Sequence, residues 1–122
     1  MVAAFEVYNE MGHGFTEEIY QESLEHELSD RSIPFTPQSD LAVYYKGQPL
    51  RKKLRPDLMV FDDIVVELKA VSALAPEHAA QLLNYLKASR KPIGRLLNFG
   101  NPGRLEWKRF VHTKPSAKIS VD

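Results

Sequence analysis

The sequence predicts an α/β domain: a central mixed β-sheet flanked by α-helices, with elements in the order ααβββαββ. Three observations lead there. Apolar residues recur at helical spacing through the first quarter of the chain. β-branched and aromatic runs punctuated by glycine and proline follow. A further stretch of helical spacing then separates those runs from two more strand-like segments, an order that describes a mixed sheet with helices on its faces.

The first helix carries Ala4, Phe5, Tyr8 and Met11 at i, i+3, i+4, i+7 spacing. No capping residue precedes it, which predicts a few further native residues upstream. Gly12-His13-Gly14 interrupts the pattern, and a second helix runs to about Leu28 with Ile19, Tyr20, Leu24 and Leu28 as its apolar stripe. Pro34 and Pro37 mark a loop, Leu41 to Tyr45 is β-rich, and Lys46-Gly47-Gln48-Pro49 reads as a turn. Two strands, about 50–61 and 64–70, meet at Asp62-Asp63. Pro76 suits the first turn of a helix reaching about Ser89, packed by Ala79, Leu82, Leu83 and Leu86. Ile93 to Phe99 and Leu105 to Val111 form the last strands, parted by Gly100-Asn101-Pro102-Gly103. The expected domain is 1–111, with 112–122 a polar, flexible tail.

With 122 residues, 43% of them hydrophobic and 26% charged, the chain has the composition of one ordinary globular domain. It contains no cysteine, so disulfides and thiolate metal sites are excluded and any metal must sit on oxygen or imidazole. No apolar run reaches a membrane span and no signal peptide is recognisable, which predicts no membrane association and a cytoplasmic location. The zero formal net charge argues against bulk electrostatic grip on nucleic acid. Basic residues nevertheless cluster as Arg51, Lys52, Lys53 and Arg55, and again as Arg104, Lys108 and Arg109; a solvated strand face is the plainer account of each cluster.

The most informative stretch is Arg55 to Val71, RPDLMVFDDIVVELKAV. Asp57, Glu67 and Lys69 stand inside apolar strand-like runs, where burying charge costs several kcal/mol unless it is paired or holds a cation. Carboxylates beside a lysine suit metal-assisted phosphodiester hydrolysis; the competing account is an exposed ion pair at a sheet edge, worth little. Alternation puts Glu67 and Lys69 on one face, and Asp57 joins them only if Val60 pairs with Ile64, leaving Phe61-Asp62-Asp63 as a three-residue loop. Asp57 and Glu67 are then expected to converge near the Lys69 amine, on the sheet face covered by the first two helices. Gln81 and Tyr85 lie one turn apart with His78 on the same stripe, which alone reads as the polar edge of an amphipathic helix. Glu17 and Glu18 suit a helix N-terminus, and Glu17 shares a face with Tyr20 and Leu24.

Taken together, these motifs resemble the GxxExxY family of the PD-(D/E)XK nuclease superfamily, with its restriction-endonuclease-like core. GHGFTEEIYQESL, RPDLMVFDDIVVELKAV, HAAQLLNYLKAS and GRLLNFG carry the resemblance over nearly the whole chain. Asp57 with Glu67-x-Lys69 is a weak pattern by itself. Gly14-x-x-Glu17-x-x-Tyr20 before it and Gln81-x-x-x-Tyr85 after it make it specific. The chain departs from the family at its N-terminus, which begins closer to Gly14.

The resemblance implies that Asp57, Glu67 and the backbone carbonyl of Leu68 ligate Mg²⁺ or Mn²⁺, with Glu17 completing the site directly or through water. Lys69 would be the catalytic lysine, and Gln81, Tyr85, Tyr20 and His78 would support the site or its substrate. Arg51, Lys52, Lys53 and Arg55, on the strand leading into Asp57, become candidates for backbone phosphate contacts. The implied activity is metal-dependent hydrolysis of nucleic acid, DNA rather than RNA being favoured; a homodimer is compatible with the sequence. The alternative is a non-catalytic module that keeps the nuclease fold to bind nucleic acid or protein.

Overall fold

The computed structural model describes residues 1–112; the expected tail beyond His112 lies outside them. Helix α1 (Val2–Met11) buries Ala3, Ala4 and Val7, so its inward stripe is made of small residues while Phe5 stays 40% exposed. Gly12, at φ +70°, ends it by donating its N–H to the Tyr8 carbonyl. Helix α2 (Glu17–Asp30) buries Tyr20, Leu24 and Leu28 and leaves Ile19 exposed.

Five short strands lie between α2 and the next helix, where the sequence predicts three. Phe35–Pro37 is β1, an edge strand antiparallel to β4 (Leu58–Val60). The two prolines had suggested a loop, but an edge strand needs only one side of its backbone ladder, so Pro37 sits there at little cost. Tyr44–Tyr45 (β2) and Gln48–Pro49 (β3) form a separate hairpin. Lys46 (φ 50°) and Gly47 (φ 81°) supply its two-residue turn, in the left-handed geometry such turns require. The basic segment from Arg51 to Arg55 is not a strand. Only Leu54 pairs, in an isolated bridge with Leu41, because this stretch has a single apolar position to bury.

Strand β5 (Ile64–Lys69) is antiparallel to β4 and parallel to β6 (Ile93–Asn98), which pairs antiparallel with β7 (Glu106–Val111). Sheet order is β1-β4-β5-β6-β7, a mixed sheet as expected. Helix α3 (Pro76–Ser89) makes the crossover from β5 to β6. Leu58, Val66, Leu68, Leu97 and Phe99 pack against α1 and α2; Met59, Val65 and Leu96 pack against Leu82 and Leu86 of α3. The sheet is thus clad on both faces. Among the described residues no helix is long and apolar enough to cross a membrane.

Candidate active site

Register builds the site. Val60 pairs with Ile64 and Leu58 with Val66, so Phe61-Asp62-Asp63 is the loop and Asp57 falls opposite Glu67. Phe61 and Asp62 take φ values of 57° and 62° there. The Asp57 backbone is held on three sides. Its N–H donates to Glu67 Oε2 at 2.9 Å, and its carbonyl accepts from Gln38 N at 3.1 Å and from Gln21 Nε2 at 2.9 Å. In return the N–H of Leu68 donates to Asp57 Oδ2 at 2.7 Å. Each carboxylate therefore spends one oxygen on backbone and keeps the other for a further partner.

The face is the opposite of the one expected. Val66 and Leu68 point at α1 and α2, so alternation sends Glu67 and Lys69 to the α3 side. Sequence alternation separates two faces but does not say which helix covers which. Glu67 is buried at 8% exposure, and its carboxyl is pushed up to about 7 by burial first and then by the charge of Asp57. Asp57 is also raised, mainly by burial. Lys69 lowers both carboxyls by its charge, yet is ion-paired to neither among the described residues. An exposed salt bridge is therefore not what these residues form.

Glu17 does not join the pair. It is exposed, at the first position of α2, and acts on Glu67 only as a weak additional negative charge. Among the described residues no group of three or more histidine, aspartate or glutamate side chains is close enough to hold a metal. Glu17, Gln21, Asp57, Phe15 and Ala70 instead line an open cavity of about 550 Å³ at the end of the sheet. Two carboxylates with free oxygens remain a donor set suited to a hard cation, since Mg²⁺ commonly takes one or two carboxylates and fills its shell with water and phosphate.

From the other layer, Tyr85 on α3 approaches the pair: its hydroxyl is raised by burial and then by the charge of Glu67. Tyr85 and Gln81 line a groove of about 420 Å³ between α3 and the stretch bearing Val43 and Leu54. His78 does something more local. The N–H of Ala75 donates to His78 Nδ1 at 3.0 Å, so the imidazole caps the start of α3. Tyr20 is fully buried and cannot touch substrate. Its hydroxyl donates to the Gly12 carbonyl and accepts from the N–H of Phe15, while its ring stacks on Phe99 at 4.8 Å. Tyr20 thus ties down the loop that precedes Glu17, and Gly14 at φ +111° lets that loop turn.

Two positioning groups escaped the sequence. Gln21 stands one turn after Glu17 on the same helix face, and that spacing was the available signal. Asn98 is completely buried at the end of β6. Its Oδ1 accepts from Val71 N (2.9 Å) and Gly100 N (3.1 Å), and its Nδ2 donates to Val71 O and Glu106 Oε1, both at 2.8 Å. A Cβ at Gly100 would lie 2.5 Å from Ala70 and Val71 backbone atoms. Asn98 and Gly100 therefore lock the chain just beyond Lys69; an asparagine ending an apolar strand before Phe-Gly was the clue.

This geometry, an aspartate facing a Glu-x-Lys strand inside a mixed sheet, agrees with comparison to known proteins. The family model of the PD-(D/E)XK nuclease superfamily matches residues 1–110. The chain belongs to the PD-(D/E)XK nuclease superfamily. Among solved structures, this superfamily member is similar to the crystal structure of SSO0001, at 21% identity and a TM-score of 0.60. That match covers 82% of this chain and 52% of the other, so the nuclease-superfamily chain spans about half the length of SSO0001. The likeness shows the shared fold. None of the curated proteins searched matches the chain.

Proposed function

We propose that this chain is a metal-dependent nuclease of the GxxExxY branch, hydrolysing phosphodiester bonds of nucleic acid at Asp57, Glu67 and Lys69. The observation that carries the reading is the carboxylate pair, with Glu67 buried and Asp57 half-buried: both acids are raised chiefly by burial, neither is ion-paired to Lys69, and each has one oxygen not engaged by the backbone. A structural role would favour neutralising such charges. Asp57 and Glu67, with the Leu68 carbonyl, are the residues we assign to Mg²⁺ or Mn²⁺, Glu17 contributing at longer range. A divalent cation there would supply Lewis acidity toward a phosphate oxygen and would acidify a water. Lys69 orients the attacking water and stabilises the negative charge that develops on the phosphoryl oxygens. Gln21 and Gln38 keep Asp57 in place, Asn98 keeps the Lys69 strand end in place, and Tyr85 borders the site from α3. Such preorganisation is what charge-stabilising catalysis needs.

The test is cleavage of labelled DNA and RNA, single-stranded and duplex, in Mn²⁺ or Mg²⁺ and in EDTA. Metal-dependent cutting that Glu67→Gln abolishes is the expected result. Cutting that persists in Glu67→Gln would remove the site from the reaction. Binding without cutting in any metal would favour the alternative, a binding module that keeps the nuclease fold.

A further inference from the structure

From Leu41 to Pro56 the chain contains Lys46, Arg51, Lys52, Lys53 and Arg55 and no acidic residue, although the whole sequence balances 16 basic against 16 acidic residues. Of these five cations only Arg55 is ion-paired among the described residues, to Asp40 at 3.1 Å. The same stretch forms the β2–β3 hairpin, which stands outside the main sheet and displays two adjacent tyrosines. Tyr44 is anchored: the Arg90 guanidinium at the end of α3 lies 5.0 Å from its ring centre. Tyr45 is free. It is 62% exposed, and Lys46 Nζ stands 5.5 Å from its ring centre. The tight Lys46-Gly47 turn fixes the backbone that presents the ring.

The hairpin flanks the groove along α3 that contains Gln81 and Tyr85, on the sheet face that also carries Glu67. The surface beside α2 is acidic instead. A cavity of about 580 Å³ between α2 and β1 is lined by Glu18, Glu22 and Glu25. An exposed aromatic ring among unpaired cations, beside a groove on the sheet face that carries the carboxylate pair, matches the way single strands are held: bases on rings, backbone on cations.

We propose that the β2–β3 hairpin is a base-stacking platform for single-stranded nucleic acid, with Tyr45 taking a base and Arg51, Lys52 and Lys53 the neighbouring phosphates. This rests on the nucleic-acid reading above and narrows it to an unpaired strand led along the α3 groove. The test is fluorescence anisotropy in EDTA, with a labelled single strand of about a dozen nucleotides and the same sequence as duplex. The single strand should bind more tightly than the duplex. Tyr45→Leu should weaken single-strand binding about tenfold and leave duplex binding unchanged, while Tyr45→Phe stays within about twofold of wild type. Replacing Arg51, Lys52 and Lys53 together by glutamine should flatten the dependence of log affinity on log salt by about two. Because Tyr45 is exposed, Tyr45→Leu should melt like wild type. Unchanged single-strand affinity in Tyr45→Leu, an equal loss on duplex, or no binding by wild type overturns the platform. Cleavage in Mn²⁺ separates the two readings. A Tyr45→Leu protein that cuts single strands with unchanged KM, while Glu67→Gln is inactive, sinks the platform and leaves the nuclease. Tyr45-dependent binding without any cleavage sinks the nuclease and leaves the platform.

Discussion

Asp57 and Glu67 face each other across the ends of two antiparallel strands, and the N–H of Asp57 donates to Glu67 Oε2 at 2.9 Å. The same contact that brings two like charges together also fixes their spacing. Asp57 Oδ2 is fixed in turn by the N–H of Leu68, so neither carboxylate can swing away to relieve the repulsion.

That constraint makes stability depend on pH when metal is absent. Glu67 rises from its usual 4.5 to about 7 in the folded protein, and Asp57 moves in the same direction. The folded state therefore holds protons that the unfolded state has released. Stability should be greatest near pH 5 and fall as pH rises through about 7, by an amount on the order of a few kcal/mol. Melting temperatures in EDTA at pH 5 and 8 check this. Glu67→Gln should flatten most of the slope, and an equally steep slope in that variant would assign the protons elsewhere.

Divalent cations should oppose the same repulsion. A ligand that binds only the folded state at a hundred times its dissociation constant adds about 2.7 kcal/mol. Mn²⁺ or Mg²⁺ should thus raise the wild-type melting temperature near pH 7.5, and Glu67→Ala much less. Equal shifts in both proteins would contradict the assignment of Glu67 as a ligand.

Asn98 and Gly100 should matter more than their distance from the carboxylates suggests. Asn98→Ala strips partners from Val71 N, Val71 O and Gly100 N in a buried setting, a loss of about 2–4 kcal/mol. Gly100→Ala pushes a Cβ against Ala70 and Val71 and displaces the strand end that carries Lys69. Cleavage should fall in Gly100→Ala even at temperatures where circular dichroism shows it fully folded. Wild-type cleavage by that folded variant would uncouple the clamp from the site.

Tyr20→Phe removes the hydroxyl that bridges Gly12 and Phe15 while keeping the stack on Phe99. The expected cost is about 1–2 kcal/mol of stability, with hydrogen exchange increased locally from Gly12 to Glu17. Unchanged exchange in that loop would show that the tyrosine serves packing alone.

Much of this was legible because strand alternation is strict. Leu58, Met59 and Val60 set against Ile64, Val65 and Val66 allowed only one register that keeps Asp57 with Glu67, and that register is present. The same alternation could not name the covering helix, so the pair lies under α3 rather than under α1 and α2. Local chemistry misled at β1, where Pro34 and Pro37 concealed an edge strand, and at Arg51–Arg55, where a strand was read into an irregular basic segment. Glu17 carries a motif position, yet it stays exposed at the start of α2, bordering the cavity with Asp57 without completing a cluster of three acids among the described residues; that placement is set by packing, which its own neighbours in sequence do not encode. The role of Asn98 is not legible in the sequence because its partners, Val71 and Glu106, come from separate segments.

The central claim is that Lys69 acts on the reaction at a metal-binding carboxylate pair and does not serve merely as their counter-ion. The decisive measurement is the single-turnover cleavage rate of Lys69→Met in Mn²⁺, taken alongside its melting temperature in the same buffer. The expected result is a folded protein whose melting temperature Mn²⁺ still raises and whose cleavage falls by a factor of about 10² or more. A folded Lys69→Met protein that cuts at the wild-type rate would contradict it.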